Sequence, residues 1–252
     1  MENYKHTACL AGAILVLSVS FASRAEPGPE DVAKSWDEAR VYVPGSESYL
    51  KSPKDVKLDK PAPVVLFMHG CSGIDAAESS WAAFIRNKGY VVVLPDSFAR
   101  DRPKSCDPRT QRGGLFPGFF AFRREEVLYG VAQLQNMPWA DKRNLFLMGH
   151  SEGGVMAALS NVPGFRGVIV SAWVCTSPSA PNTGLRIAPE VPVLVLDHEK
   201  DPWFTASPGR HCSEFFGTRK ARQVTLPGFA HNTFEPGAQQ PVLDFLNENL
   251  AR

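Results

Sequence analysis

Short segments rich in Val, Leu, Ile and Phe recur along the chain from residue 64 onward. Segments this short favour strands over helices, and an apolar run without polar interruptions indicates a strand buried on both faces of a sheet. Five segments have this character: Val64–Met68, Tyr90–Leu94, Asn144–Met148, Val168–Val170 and Val193–Leu196. A sixth strand is expected at Gln223–Leu226, where apolar residues alternate with polar ones. The polar region before them contains one short apolar stretch, Val41–Val43, which predicts an edge strand.

Helical patterns fall between these segments. One carries Trp81, Phe84 and Ile85 on a single face and ends at Gly89. Further helices are expected over Phe119–Met137, Glu152–Ser160 and roughly Gln240–Leu250, and a long loop over Asp96–Gly118. Buried strands that alternate with helices predict the α/β class, with a mostly parallel, twisted sheet covered by helices on both faces.

The N-terminus has the pattern of a secretory signal peptide. Lys5 precedes a short apolar run, Ala8–Val19, and small residues follow at Ser23 and Ala25. A retained membrane anchor is the alternative, but the run is shorter than the roughly 20 apolar residues that a spanning helix needs. We expect cleavage after Ala25, with cleavage after Ala22 as the alternative. Residues 26–252 would then form a single domain that is exported to a periplasm or secreted.

The amino-acid composition is that of an ordinary globular protein. Hydrophobic residues make up 44% of the chain and charged residues 21%, which is typical of a globular protein. The formal net charge is +1, so nothing favours a nucleic-acid partner, and we expect no membrane contact for the mature form. We expect neither metal nor cofactor, because the chain lacks C-x-x-C and H-x-x-x-H spacings. The oligomeric state is left open.

Four cysteines remain after the expected signal peptide: Cys71, Cys106, Cys175 and Cys212. An even number in an exported protein predicts two disulfides. Three pairings exist, and we favour Cys71–Cys106 with Cys175–Cys212, because each pair would join loops on the same side of the sheet. The alternative is that one or both pairs are free, buried thiols.

A candidate nucleophile stands at the end of one buried strand. Directly after Asn144–Met148 comes Gly149-His150-Ser151-Glu152-Gly153-Gly154, which is G-x-S-x-G between a strand and a helix. The strand must turn sharply into the helix, and the glycines leave room where side chains would collide. Ser151 is therefore expected at the tip of this turn, as a catalytic nucleophile.

A serine hydroxyl needs a base, and the base needs an acid that orients it. His231 lies in the loop directly after the last strand, where it can reach Ser151. The acid is expected between the two along the chain, in the segment Asp197–Trp203. We favour Asp201, which lies beyond the strand beside Pro202, with Asp197 and Glu199 as rivals. A metal site in this acidic segment is the less favoured alternative, because nothing else completes a coordination shell.

The oxyanion of such a reaction needs two preorganised donors. One is the backbone N–H of Glu152, the residue after the nucleophile. The other is expected in the loop after Val64–Met68, which reads His69-Gly70-Cys71-Ser72-Gly73, and we assign it to the N–H of Cys71. Cys71 as a nucleophile is the rival interpretation, but no base is dedicated to it and a disulfide would remove the thiol.

These motifs occur in the order typical of the α/β-hydrolase superfamily. They are His69–Gly73, Gly149–Gly154, Glu199–Trp203 and Gly228–His231. The layout, with little or no cap, resembles the dienelactone-hydrolase-like branch over almost all of the chain after the expected signal peptide. The resemblance implies the α/β-hydrolase fold. Type enzymes of that branch have a cysteine where this chain has Ser151, so lactone specificity is not implied, and a small carboxylic ester fits the serine better.

The expected function is hydrolysis of a small ester through an acyl-enzyme by Ser151, His231 and Asp201. A short-peptide or thioester hydrolase is one alternative, and a non-catalytic binding protein with the same fold is another. The long loop is expected to line the substrate pocket. Its arginines suit a substrate carboxylate, and Phe116 suits an apolar wall, although solvated charges and core packing explain the same residues. The arginines are Arg100, Arg102, Arg109 and Arg112.

Overall fold

The computed structural model describes residues 29–177, 182–204 and 211–251. The expected signal peptide, residues 1–25, lies outside these ranges. Nine strands are described: β1 Arg40–Tyr42, β2 Ala62–Met68, β3 Val91–Leu94, β4 Cys106–Asp107, β5 Arg112–Gly113, β6 Ala140–His150, β7 Gly167–Ser171, β8 Val193–His198 and β9 Ala221–Leu226. The α-helices are α1 Pro29–Asp37, α2 Ala76–Arg86, α3 Phe119–Asn136, α4 Glu152–Leu159 and α5 Pro236–Glu248.

Seven strands form one twisted sheet in the order β1-β3-β2-β6-β7-β8-β9. Six of them are parallel, and β1 pairs antiparallel with β3 at the edge, as Val41–Val43 predicted. The chain order reverses around β2 and β6, which are direct neighbours although far apart in sequence. Loops at the carboxyl ends of strands on either side of such a reversal point enclose a crevice, the usual place for a ligand in an open α/β sheet.

Alternate residues of each central strand enter two separate cores. In β2, Val64, Leu66 and Met68 face one core, whereas Val65 and Phe67 face the other. Helices α1, α3 and α4 cover the first core, and α2 and α5 cover the second. Burial on both faces explains why these strands consist of unbroken apolar residues.

Several elements differ from the sequence-based expectation, including α1, which the sequence pattern did not predict, and β6, which begins at Ala140 and not at Asn144. Helix α5 begins at Pro236 and not near Gln240, because proline fits the first turn of a helix, where its missing N–H is not needed. The loop expected over Asp96–Gly118 contains a short 3-10 helix, Ser97–Ala99, and the two-residue strands β4 and β5, which form a hairpin. Strands this short have no hydrophobic alternation by which a sequence pattern reveals them.

Two disulfides join Cys71 to Cys106 and Cys175 to Cys212, with Cα atoms 5.9 and 4.8 Å apart. This is the pairing favoured from the positions of the loops. The first bond attaches the β4–β5 hairpin to the loop that follows β2. The second is buried, with both cysteines fully inaccessible to solvent. In the described ranges, no helix combines the length and the apolar character that crossing a membrane requires.

Candidate active site

Ser151 lies between β6 and α4 in a strained backbone conformation, with φ +55° and ψ −118°. The turn is so tight that neighbouring positions have no room for a side chain. A Cβ atom on Gly149 would lie 2.0 Å from the carbonyl oxygen of Gly153, and one on Gly153 would lie 2.0 Å from that of Met68. The glycines of G-x-S-x-G therefore allow a turn that projects Ser151 from the edge of the sheet.

His231 connects Ser151 to Asp201. Its Nε2 lies 2.8 Å from Ser151 Oγ, and its Nδ1 lies 2.7 Å from Asp201 Oδ2. The Asp201 side chain is almost fully buried, and its other oxygen accepts the backbone N–H of Trp203 at 3.0 Å. The three side chains come from the loops after β6, β8 and β9, which places them at one edge of the sheet.

The rivals for the acid position point elsewhere. Asp197 Oδ2 accepts a 2.6 Å bond from the Gln223 amide and lies 3.4 Å from His211, while Glu199 is exposed. The His198 ring lies 3.2 Å from the carbonyl oxygens of both Pro227 and Asn232, so it braces the loop that carries His231. Nowhere in the described part of the chain do three or more His, Cys, Asp or Glu side chains group as ligands for a metal ion.

The two expected oxyanion donors flank Ser151. Glu152 is the first residue of α4, and Cys71 lies in the loop after β2. A Cβ on Gly70 would lie 3.3 Å from Ser151 Cβ, so this loop passes close to the serine. The buried Glu78 carboxyl group holds the loop in place, since Oε1 accepts the N–H of Gly70 at 2.9 Å.

The side chain of Glu152 has a partner that the sequence analysis missed. Both Nη atoms of Arg102 donate to its two carboxylate oxygens, at 2.9 and 3.0 Å, and the Ser105 hydroxyl donates at 2.8 Å. The side chains of Arg102 and Glu152 are 0% and 2% exposed. A bidentate arginine–carboxylate pair is geometrically specific, so it fixes the start of α4 beside Ser151. Fifty residues separate the two partners, and no local motif signals such a pair.

Arg100 is not placed to contact a substrate. Its side chain is fully buried, and it donates to Asp31 at 2.8 Å, Glu125 at 2.8 Å and the carbonyl oxygen of Phe122 at 3.0 Å. All three guanidinium nitrogens are thereby occupied. The structure gives this residue, expected to bind a substrate carboxylate, a role in attaching α1 and α3 to the loop.

Arg112 and Phe116 are not among the residues that line the cavities at Ser151. Arg112 is exposed on β5, opposite Asp107. Phe116 packs edge-to-face against Phe119 and Phe122, with ring centroids 5.8 and 5.6 Å apart. Residues after β7 and β8, namely Trp173, Trp203 and Phe204, line the cavity where an apolar wall was expected from Phe116.

Two buried histidines near the site are neutral. His69 Nε2 accepts the N–H of Ser97 at 3.0 Å, and burial together with the charge of Arg123 lowers the pKa of His69 well below its usual value. Burial and the nearby His231 lower the pKa of His150 to about 3. His150 bonds to the Ser171 hydroxyl at 3.0 Å. His231 is therefore the histidine that the described structure places against the nucleophile.

Ser151 opens onto two cavities. The first has a volume of about 470 Å³, and Ser151 and Glu152 form part of its wall together with Leu115, Val155, Trp173, Trp203, Phe204 and others. The second has a volume of about 410 Å³, and Ser151 and His231 form part of its wall together with Ser72, Asp75, Glu78, Gln111, His150, Asn232 and others. Cys71 and Trp203 also border both cavities. A substrate bond at Ser151 can therefore project one group to each side.

Comparison with known proteins gives a family and a fold. Residues 47–240 match the model of the dienelactone hydrolase family. No curated protein sequence matches significantly. Est1E from Butyrivibrio proteoclasticus is similar in structure with a TM-score of 0.58 at 14% identity, over 85% of this chain and 94% of that one. An S-formylglutathione hydrolase from Agrobacterium tumefaciens has a TM-score of 0.58 at 19% identity, over 84% and 90% of the two chains.

Dienelactone hydrolase from Anabaena variabilis has a TM-score of 0.54 at 18% identity, over 84% of this chain and 89% of its own. Identities this low show a shared fold and no more. The family match is stronger, because it spans most of the sequence. With a strand–Ser151–helix turn at the expected place in a mostly parallel sheet, the chain belongs to the dienelactone hydrolase family, a hydrolase family of the α/β-hydrolase superfamily.

Proposed function

We propose that this protein is a serine esterase that cleaves small carboxylic esters through an acyl-enzyme. The observation that carries the proposal is the continuous chain of short hydrogen bonds from Ser151 through His231 to Asp201. A serine hydroxyl becomes an effective nucleophile when a positioned histidine accepts its proton. Asp201, buried against Nδ1, would fix the ring tautomer and stabilise the imidazolium.

In the proposed reaction, Ser151 Oγ attacks the ester carbonyl carbon while His231 Nε2 takes the hydroxyl proton. The carbonyl oxygen becomes an oxyanion that the backbone N–H groups of Cys71 and Glu152 would stabilise. When the bond to the alcohol breaks, His231 gives its proton to the departing oxygen. Water then attacks the acyl-enzyme with His231 as base, which releases the acid and restores Ser151.

The surroundings of the two N–H groups support this assignment. The Arg102 guanidinium holds the Glu152 side chain, and the Cys71–Cys106 bond together with Glu78 holds the loop of Cys71. Donors that are fixed before the reaction begins stabilise developing charge without reorganisation, which is the main source of rate acceleration in acyl transfer.

The first test is intact-protein mass before and after a fluorophosphonate probe, alongside hydrolysis of p-nitrophenyl acetate and butyrate. We expect one adduct, on Ser151, together with turnover of both esters, and neither with the Ser151→Ala variant. Turnover of short peptides at the expense of esters would favour the peptidase alternative. A folded protein with no adduct and no turnover would favour a binding protein.

Export is a second part of the proposal. Residues 1–25 would direct the chain out of the cytoplasm, and residues 26–252 would form the mature single domain. The two disulfides support an oxidising compartment, because such bonds are rare in the cytosol. N-terminal sequencing of the protein from an exporting host should begin at Glu26; a protein that retains Met1 would contradict this.

A further inference from the structure

The two cavities at Ser151 differ in chemistry. The 470 Å³ cavity is lined mainly by apolar and aromatic side chains: Leu115, Val155, Trp173, Trp203 and Phe204. Aromatic and branched walls of this kind favour an apolar group, since burying it removes its surface from water. We call it the apolar cavity.

The 410 Å³ cavity shares Trp203 with the apolar cavity, and its other lining includes exposed groups that form hydrogen bonds, namely Ser72, Asp75, Gln111 and Asn232. Asp75 caps α2 through Oδ1, which accepts the N–H of Ala77, and its Oδ2 lies 3.3 Å from the Ser72 hydroxyl. Hydrogen bonds from neighbouring groups, including Glu78 and Ala77, lower the pKa of Asp75 against the opposing effect of burial, so its carboxylate is charged at neutral pH. We call this cavity the polar cavity.

The position of His231 decides which half of an ester enters which cavity. The alcohol oxygen must receive the proton that His231 takes from Ser151, so the alcohol must depart on the side where His231 is found. His231 lines the polar cavity. The acyl group stays bonded to Ser151 on the other side, where Glu152 and the aromatic residues line the apolar cavity.

One structural element separates the two cavities. The β4–β5 hairpin and the residues after it contribute Pro108 and Gln111 to the polar cavity, and Gly113, Gly114 and Leu115 to the apolar cavity. The disulfide from Cys106 to Cys71 attaches this hairpin to the loop beside the nucleophile. The division between the cavities is therefore held covalently.

We infer that the preferred substrate is an ester that joins an apolar, ring-sized carboxylic acid to a neutral, hydroxyl-bearing alcohol. This inference rests on the proposed esterase activity. The acid occupies the apolar cavity, and the alcohol occupies the polar cavity. In the first step the Ser151 Oγ–carbon bond forms, the carbon–alcohol oxygen bond breaks, and the serine proton passes through His231 to the alcohol. Water supplies the second step, and the Asp75 carboxylate disfavours an anionic alcohol.

The experiment compares four esters that differ in one half at a time: glyceryl benzoate, butyl benzoate, glyceryl acetate and butyl acetate. Each kcat/KM is divided by the hydroxide-catalysed rate of the same ester, which removes differences in intrinsic reactivity. We expect this normalised kcat/KM to be at least tenfold higher for glyceryl esters than for butyl esters. It should also be at least tenfold higher for benzoates than for acetates. A ratio at or below one in either comparison overturns the inference for that half.

Two variants four residues apart in the chain test the two cavities separately. Gln111→Leu should lower the glyceryl-to-butyl ratio at least threefold and leave the benzoyl-to-acetyl ratio within twofold. Leu115→Asn should do the reverse. Variants that change both ratios equally would contradict the separation of the cavities. Absence of Ser151 labelling and of turnover with all four esters would instead remove the proposed esterase function itself.

Discussion

Two groups of polar residues lie side by side at the carboxyl ends of the central strands, and they differ in their access to solvent. Ser151 and His231 line the cavities, with the His231 side chain 19% exposed, whereas the Asp201 side chain behind them is buried. The arginine–carboxylate network beside it is sealed from solvent, with four core members at 0% exposure and Glu152 at 2%. These members are Arg100, Arg102, Arg123, Glu126 and Glu152.

Charged and polar groups near the candidate active site would therefore have two distinct uses. The proposed catalytic group would move a proton, whereas most described contacts of the network join segments that are distant in the sequence. Arg123, for example, donates to the carbonyl oxygen of His69 and to the Ser97 hydroxyl. Glu152 is where the two groups meet, because its backbone N–H is the proposed oxyanion donor and its side chain belongs to the network.

Removing the proposed nucleophile should distinguish the two groups most clearly, because it should affect activity and not stability. Ser151→Ala should lower kcat by about 10⁴-fold or more, since the hydroxyl has no substitute in the mechanism. The free energy of unfolding should change by less than about 1 kcal/mol, because no packing is lost. Steady-state kinetics and urea denaturation check the two halves. Residual activity within tenfold of the parent would contradict the assignment of Ser151.

The opposite pattern is expected for the network. Arg123→Met should lower the free energy of unfolding by about 3–5 kcal/mol, because the buried carboxylates of Glu126 and Glu152 each lose one of the two arginines that neutralise them. Arg124→Met is the matched control, since Arg124 lies next to it and bonds only Asn161 among the described residues. It should change stability by about 0.5 kcal/mol or less. Equal losses of stability in the two variants would contradict a stabilising role for the buried network.

The same contrast explains what the sequence could predict. The central strands are visible as apolar runs, and Ser151 and Asp201 each follow such a run within a few residues, while His231 follows the alternating strand β9. The network has no signature in the sequence, because Arg102 and Glu152 are 50 residues apart and Arg100 and Asp31 are 69 residues apart. An arginine in a loop looks the same in sequence whether it faces a substrate or a buried carboxylate.

The β4–β5 hairpin was missed for a related reason. The hairpin is held by the Cys71–Cys106 disulfide and by only two pairs of residues between β4 and β5. A ladder this short has no periodic pattern in the sequence. As a result the polar and apolar cavities on its two sides could not be anticipated. The long loop was expected to form a pocket wall, and it does so through Gly113–Leu115 rather than through Arg100, Arg112 and Phe116.

Removing each disulfide in turn tests whether the loop of the proposed oxyanion donor depends on its covalent attachment. The bonded cysteines are separated by 35 and 37 residues, so loop-closure entropy stabilises the fold by nearly the same amount in each case, about 4 kcal/mol. Replacing Cys71 and Cys106 by serine should also lower kcat severalfold, because the loop of the proposed oxyanion donor loses its tie. The Cys175 and Cys212 double serine variant should lose stability and keep kcat within twofold. Melting temperature and kcat, measured together, check this difference.

A smaller effect concerns Glu78, which is buried like Glu152 but has no arginine or lysine within ion-pair distance among the described residues. Burial, followed by the hydrogen bond and charge of Asp75, raises the pKa of Glu78 from 4.5 to about 8. Between these values the folded protein holds a proton that the unfolded chain has released. The free energy of unfolding therefore falls as pH rises through this window, by at most about 1.4 kcal/mol per pH unit from this group.

Glu78→Gln should reduce that slope, because the amide imitates the neutral acid and does not titrate. Urea denaturation at pH 5, 6, 7 and 8 measures it, with Glu47→Gln, a change at an exposed position, as the control that should keep the parent's slope. Equal slopes in all three proteins would mean that Glu78 is ionised in the fold. Its two backbone N–H bonds would then suffice to hold a buried carboxylate, and the arginines beside Glu152 would serve geometry rather than charge compensation.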